Sequence, residues 1–230
     1  MQGLLLVDKP AGWTSFDVVN YVRRIVATAE GKKPKNVKVG HTGTLDPFAT
    51  GLLILLIGKE YTKRAGEFSK LDKTYEVTMK LGFTSTTGDP EGELKAVSDT
   101  APTPEAIQKA VKQFKGQIQQ VPPAYSAIKV DGQRAYKLAR AGKEVKLEPR
   151  PVTINSLEII SYDYPEVKLV ADVSSGTYIR TLVEDIGKAV KTGAYTIGLE
   201  RTRIGEYSVE SAISQNNLSK ETIEALLKLA

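Results

Sequence analysis

The 230-residue chain contains no cysteine and a single histidine. Without cysteine there is neither a disulfide nor a thiolate metal ligand, and one histidine cannot build the usual zinc or two-histidine clusters. The chemistry left open is cofactor-free or at most magnesium-dependent, and no metal site is expected. Long apolar runs are missing as well. The run Leu52 to Ile57 is too short to cross a membrane. The opening MQGLLLVDKP lacks the basic start, long apolar region and small-residue cleavage site of an export signal. A cytoplasmic protein without a membrane partner is therefore expected. There is no repeat, low-complexity tract or linker, and a hydrophobic content of 41% is enough to build a sizeable core.

What is present is organised around one stretch, Val39 to Gly58, VGHTGTLDPFATGLLILLIG. A turn punctuated by Gly40 and Gly43 carries the only histidine, His41, and leads through Asp46-Pro47 to the apolar run Leu52 to Ile57. Bounded by Gly51 and Gly58, that run reads as a strand buried on both faces, with the polar loop before it at the edge of the core. The proline biases Asp46 toward extended backbone and suits it to cap a short turn whose first residue is Pro47. Taken alone, Asp46 is a turn cap and His41 a hydrogen-bonded structural residue, so a catalytic reading needs corroboration from elsewhere.

Thirty-two Lys and Arg against 27 Asp and Glu give a net charge of +5. That balance permits a polyanionic partner without demanding one, and clustering matters more than the total. Basic residues concentrate at Lys32 to Lys38, along Lys129, Arg134, Lys137, Arg140, Lys143, Lys146 and Arg150, and at Arg201 and Arg203. Tyr125 and Tyr136 lie beside or within the second group. Each cluster taken singly is a solvated face; together they point to nucleic acid.

In chain order, Gly3 to Val7 is a short strand ending in the turn Asp8 to Gly12, which delivers Lys9 at the strand end. Read by itself, Lys9 is an ordinary solvated lysine. Thr14 or Ser15 caps a helix on which Val18, Val19, Val22, Ile25 and Val26 recur at helical spacing. Tyr61 to Leu71 reads as one short helix. Lys73 to Gly82 alternates with period two, as a half-buried strand does, and places Tyr75 and Val77 on one face. Phe83 to Gly92 is a turn-rich loop. Thr103 caps an amphipathic helix with Pro104 at its first position. Ala124 to Pro151 is the longest charged, weakly apolar interval, an excursion from the core that allows one or two helical turns near Tyr136 and reads as a flap closing on an anion. Val152 to Tyr162 and Val167 to Val173 are strands, and Tyr178 to Val190 is a helix. Arg180 in its first turn opposes the helix dipole and calls for a compensating carboxylate, for which Asp46 is the candidate. Tyr195 to Leu199 is a strand, and Ser219 to Ala230 a closing helix. The pattern as a whole is one mixed α/β domain with a protruding loop.

Four blocks now stand in order: DKPAGWTS (8–15), GHTGTLDPFATG (40–51), KTYEVTMKLG (73–82) and SSGTYIRTL (174–182), with PPAYSAIKVDG and LEPRPVTI bounding the flap. Together they resemble the bacterial tRNA pseudouridine synthase B family, from the first residues to about Gly205. The resemblance implies a central mixed, mainly antiparallel sheet flanked by helices, and an enzyme that converts the T-loop uridine at tRNA position 55 to pseudouridine. By it, Asp46 matches the catalytic aspartate, Tyr75 the tyrosine that lies against the target base, and Arg180 the arginine that pairs with the aspartate. Tyr178 and Leu199 match neighbouring wall positions and His41 the histidine that contacts the T-loop. Lys9, in the KPxGxTS block, takes a supporting part among the substrate-binding positions.

The chemistry so implied requires a flipped-out uridine and an ionised carboxylate that adds to it, at C1′ or C6, and it calls for no cofactor. The implied partner is the T-arm of tRNA, bound by a monomer without an obligate protein partner. Family members usually continue into a small RNA-binding domain of the PUA type, whereas this chain stops at Ala230. The expectation is thus a catalytic domain alone, 1–230, with an inserted RNA-binding flap at about 124–151. Two other readings compete. A guide-RNA-dependent pseudouridine synthase of archaeal and eukaryotic ribonucleoproteins shares the aspartate block, but GHTG before TLDP is the bacterial form. An RNA-binding or RNA-folding module would have no need for Asp46, Tyr75 and Arg180 together.

Overall fold

A computed structural model describes residues 1–130 and 132–227. The architecture is mixed α/β, with mainly antiparallel strand pairing and flanking helices. The chain divides into two compact units, one formed by Met1–Tyr75 with Leu199 onward and the other by Glu76–Gly198. Among the described residues no helix is long and apolar enough to cross a membrane.

The first unit is built around the apolar run singled out above. Strand β1 (Gly3–Lys9) runs antiparallel to β3 (Thr50–Ile57) over its full length, in a register from Gly3 opposite Ile57 to Lys9 opposite Gly51. The other edge of β3 is shared. β2 (Val39–His41) pairs with its far end, Leu55 to Ile57, and the strand Ala194–Ile204 pairs in parallel with its start, Glu200 opposite Thr50 and Arg201 opposite Gly51. Between those two partners the chain leaves the edge as the loop that carries Asp46.

Every residue from Leu52 to Ile57 is fully buried, because both faces of β3 are covered. Leu53, Leu55 and Ile57 join Leu5 and Val7 against the helix α1 (Ser15–Ala29) through Val18, Val22 and Val26, and against Ile223. Leu52, Ile54 and Leu56 face the other way, with Leu4, Leu6, Phe68 and Ile204. Burial of such side chains contributes about 1.5–3 kcal/mol each. The helix begins where its chemistry predicts: Thr14 accepts from the Asp17 amide while the Asp17 carboxylate accepts from the Thr14 amide, a complete capping box.

Some boundaries differ from the sequence reading. The stretch Tyr61 to Leu71 holds two five-residue helices, Lys59–Lys63 and Ala65–Ser69, rather than one. Arg64 separates them with φ −86° and ψ 6°, and its guanidinium stacks 6.0 Å from the Tyr61 ring and 5.9 Å from the Phe68 ring. The closing helix runs over Lys220–Leu226, and the residues expected to continue it, 228–230, lie outside the described residues.

In the second unit β4 (Lys73–Leu81), which starts in the first, alternates buried and partly exposed residues as its period predicts. The strand Arg150–Asp163 is antiparallel both to Glu166–Val173 and to Gly116–Gln120. The helix Pro104–Lys112 has Thr103 as its cap and proline at its first turn. The interval from Ala124 to Pro151 carries a small hairpin, Lys129–Val130 with Gln133–Arg134, followed by the helix Ala135–Arg140.

Gly51 is the tightest point of the first unit. Its φ is +98°, and a Cβ there would lie 2.5 Å from the Arg201 carbonyl oxygen and 2.8 Å from its nitrogen. Gly12 has φ +81° with nothing within 4 Å of a Cβ. Gly12→Ala is therefore expected to cost only the left-handed strain of about 1–2 kcal/mol. Gly51→Ala also forces two backbones apart and should cost more than about 4 kcal/mol, the range reserved for a named structural clash. Urea unfolding of the two variants checks this, and equal midpoints would show that the backbone approach at Gly51 is relieved without cost.

Candidate active site

The loop from Thr42 to Ala49 is fastened from several sides, all within the first unit. Ser15, the first residue of α1, donates its hydroxyl to the Leu45 carbonyl at 3.1 Å and accepts from the Leu45 amide at 2.8 Å. Arg201 donates from Nε to the Leu52 carbonyl at 2.8 Å and from Nη2 to the Gly43 carbonyl at 3.1 Å, with Nη1 3.4 Å from the Thr44 carbonyl. The Pro47 carbonyl accepts from the Gly12 amide at 2.8 Å and from Lys9 Nζ at 3.3 Å. Asp46 sits at the centre. Its carbonyl accepts from the Ala49 amide at 3.1 Å, which closes a turn with Pro47 at the second position, as the Asp-Pro sequence implies. Block 8–15 and block 40–51 are thus one construction: the first holds the second.

Two basic residues depart from their sequence reading. Lys9 is not solvated; it is completely buried, and its ammonium donates to the carbonyls of Pro10 at 2.9 Å and Trp13 at 2.8 Å as well as to Pro47. Arg201, grouped by sequence with a nucleic-acid surface, is 1% exposed, while Arg203 is exposed. Both cations lie in the cross-strand row of Gly51, one on each side. Strand parity does not single out Arg201, since Arg203 has the same parity and is exposed.

Burial pushes the Lys9 ammonium down to about 8, a fall opposed by the Asp46 carboxylate and increased by Arg201. Lys73, at the start of β4, is pushed to about 8 by burial as well, and it donates to the Ser69 carbonyl at 2.9 Å and to that of Leu71. His41 ends β2 with Nδ1 buried and without a hydrogen-bond partner among the described residues. Burial, and secondarily Arg201, lowers its pKa, so the imidazole is neutral at neutral pH. Tyr75 is 7% exposed on the buried face of β4, and Leu199 is buried.

Arg180 and Tyr178 belong to the second unit. Tyr178 is the N-cap residue of the helix Ile179–Ala189, and its side chain does not make the capping bond. Its amide donates to Gln120 Oε1 at 2.8 Å and its carbonyl accepts from Gln120 Nε2 at 3.1 Å, so one buried side chain fixes the helix entry. Two residues further on, Arg180 is 5% exposed and donates from Nη1 to the Thr87 carbonyl at 2.7 Å and the Asp89 carboxylate at 3.0 Å, and from Nη2 to the Tyr125 carbonyl at 2.9 Å. The sequence reading sought a carboxylate to compensate this arginine and overlooked Asp89, which lies in the loop read as turns alone. Asp89 is itself fixed, accepting from the Thr87 hydroxyl and from the Glu91 amide at 3.1 Å. The dipeptide Asp89-Pro90 after Gly88 repeats the glycine and Asp-Pro signature of the Asp46 loop, and that was the available signal. On the flap, Lys129, Arg134, Lys137, Arg140, Lys143, Lys146 and Arg150 are all exposed.

Residues 30–179 match the N-terminal domain of the TruB family pseudouridylate synthases. The chain belongs to that family. The matched span contains His41, Asp46, Tyr75 and Tyr178 and stops one residue before Arg180. The chain is 45% identical over 227 residues to a tRNA pseudouridine synthase B of Parabacteroides distasonis, covering 98% of this chain and 95% of the relative. It is 46% identical over 211 residues to the protein of that name from Bacteroides fragilis, covering 91% and 89%. Among solved structures it resembles a chain of a Cbf5-Nop10-Gar1 complex, at 27% identity and a TM-score of 0.70, over 96% of this chain and 54% of that one. A similar likeness, at 25% identity and a TM-score of 0.68, holds to a chain of an H/ACA RNP bound to a substrate RNA containing 2'-deoxyuridine, over 96% of this chain and 53% of that one. The chain thus spans about half the length of both solved chains.

The buried lysines give this TruB family member a testable pH dependence. Lys9 and Lys73 titrate near 8 when folded, against the ordinary 10.5. Between those values the unfolded chain binds more protons at both sites, so the unfolding free energy rises with pH. Urea midpoints are expected to climb from pH 8 to 9.5, and Lys73→Met to reduce that climb. A flat or falling profile would show that the carbonyls around the two ammonium groups offset their burial.

Proposed function

We propose that this chain isomerises the uridine at position 55 in the T-loop of tRNA to pseudouridine, in the cytoplasm, with Asp46 as nucleophile. The observation that carries the reading is the rigid presentation of Asp46, whose turn is clamped by Lys9, Gly12, Ser15 and Arg201. A carboxylate carried on a loop held that firmly has less freedom to lose when it attacks, and preorganisation of this kind lowers a barrier. Membership of the family and the relatives' identity as tRNA pseudouridine synthases support the substrate class.

A uridine within a folded loop is unreachable until it leaves the stack, at a cost of about a few kcal/mol. The ionised Asp46 carboxylate then adds to the nucleotide, at C1′ or C6, and the N-glycosidic bond breaks with its electron pair going to the uracil. The ring turns and forms a carbon–carbon bond between C5 and C1′, the bond from Asp46 to the nucleotide breaks so that the carboxylate is regenerated, and the C5 proton is lost while N1 takes one up. No electrons are exchanged with another molecule, and the product is an isomer of the substrate. On the family resemblance, Arg180 acts as the arginine that keeps the aspartate ionised, and Asp89, Thr87 and Tyr125 hold that arginine. Tyr75 supplies a ring for the uracil and assists the proton loss, with Tyr178 and Leu199 as wall positions. His41, neutral and with Nδ1 uncommitted, is assigned to the T-loop. Lys9 supports the site from behind by fixing the Pro47 carbonyl. The exposed cations of the flap are the phosphate contacts.

The function is tested by incubating the protein with unmodified tRNA and mapping pseudouridine by mass spectrometry, with position 55 as the expected product site. Asp46→Asn keeps the side-chain shape and removes the charge, so it should leave tRNA affinity within about fivefold while abolishing single-turnover product formation. Residual turnover near that of the unaltered chain would sink the assignment. Replacing Lys129 and Lys137 by Ala should weaken tRNA binding and flatten its salt dependence by about 1.8 in the log–log slope, the amount for two duplex phosphate contacts. An unchanged slope would show that the flap does not meet the backbone.

A further inference from the structure

The outer side of α1 carries a hollow of about 530 Å3 that none of the residues in the proposed mechanism uses. Asn20, Arg23 and Arg24 form one wall, and Pro34, Lys35 and Lys38, ahead of β2, form the other. Four cations line it and no carboxylate does. Lys32, Lys63, Arg64 and Lys188, by contrast, each lie 2.8–2.9 Å from an acidic partner. None of the four cations in the hollow has an ion pair among the described residues. Like charges gathered without compensation raise the local potential and attract an anion. One of them is also preset. Arg23 donates to Asn20 Oδ1 at 2.7 Å and to the Val39 carbonyl at 3.1 Å, and its guanidinium lies 5.7 Å from the centre of the Phe16 ring.

A second hollow of about 360 Å3 adjoins the first and shares Asn20 and Arg24 with it. Its walls include Trp13 and Tyr21, which meet edge to face with centroids 5.7 Å apart and planes at 82°. It contains one acid, Asp17, whose carboxylate is occupied by the Thr14 amide at 2.9 Å and the Thr14 hydroxyl at 2.6 Å, bonds that also lower its pKa. An anion clamp beside an aromatic wall, with Arg24 common to both, fits the phosphate and base of a nucleotide. Aromatic stacking together with a basic groove is how single strands are held without sequence preference, at about 1–3 kcal/mol per stacked base.

We propose that this two-lobed hollow is a second RNA-binding site, in which phosphates of a single-stranded segment meet Arg23, Arg24, Lys35 and Lys38 and a base packs against Trp13. The assignment rests on the reading of the chain as an RNA-modifying enzyme. An acidic peptide would satisfy the basic lobe and leave the aromatic lobe unexplained.

Trp13 is the only tryptophan, so its fluorescence reports directly on the aromatic lobe. The full chain is titrated with a short oligouridylate, with uridine monophosphate and with polyglutamate, and pseudouridine formation on tRNA is assayed alongside. Quenching by the oligouridylate is expected. The double variant Arg24→Gln, Lys35→Gln, both exposed positions, should raise its Kd about tenfold and flatten the log–log salt slope by about 1.4, the amount for two single-strand phosphate contacts. An unchanged Kd and slope in the variant overturns the proposal. So does equal quenching by the monophosphate, which makes the occupant a free nucleotide, or occupancy by polyglutamate alone. If the unaltered chain forms no pseudouridine, the function proposed above fails instead, and the fluorescence result stands on its own.

Discussion

The structure of the first unit depends on how two buried cations are satisfied. Lys9 and Arg201 flank Gly51 in one cross-strand row, both hidden from solvent, and every bond found for them goes to a backbone carbonyl. A buried ammonium or guanidinium left without acceptors would cost several kcal/mol. The carbonyls that prevent this are those of Pro10 and Trp13 in the turn after β1, of Gly43, Thr44 and Pro47 in the Asp46 loop, and of Leu52 in β3. The burial of the cations and the conformation of the loop are therefore conditions for one another. A displaced loop strands two charges, and that restoring force keeps Asp46 in place.

Gly51 makes this arrangement possible. A side chain there would collide with the Arg201 backbone, so only glycine lets the Ala194–Ile204 strand come close enough for Arg201 to reach the loop carbonyls. The same edge of β3 is then released between Leu52 and Ile54, where the Thr42 amide donates to the Ile54 carbonyl and Arg201 Nε to that of Leu52. These bonds satisfy an edge that no strand covers. A polar loop can consequently stand directly beside a fully apolar strand without leaving backbone groups unpaired.

What could be read from the sequence was what depends on neighbours along the chain. Capping by Thr14 and Thr103, the two-faced burial of Leu52 to Ile57 and the period-two burial of β4 each follow from a few adjacent residues. Lys9 and Arg201 could not be read that way, because composition treats every lysine and arginine as solvent-seeking and the acceptors of Arg201 lie about 150 positions away. Asp89 escaped for a similar reason: its partner Arg180 is 91 residues distant, and its own stretch looks like an unremarked turn. The family resemblance carried by the four blocks was legible because it lies in contiguous sequence, whereas the internal pairing of charges is a property of the fold.

That pairing also changes how the net charge of +5 should be understood. Among the described residues Lys9, Lys73, Arg180 and Arg201 are buried against a single buried carboxylate, Asp89, so much of the excess positive charge faces inward. What remains outside is close to balanced in total and uneven in placement. Several exposed cations lie beside carboxylates, where they cancel within a Debye length of about 8 Å. Those of the flap and of the α1 hollow stand in groups instead. Attraction of a polyanion is therefore expected of these two surfaces rather than of the chain's overall charge, and replacing paired lysines elsewhere should alter the isoelectric point without altering where the proposed RNA contacts lie.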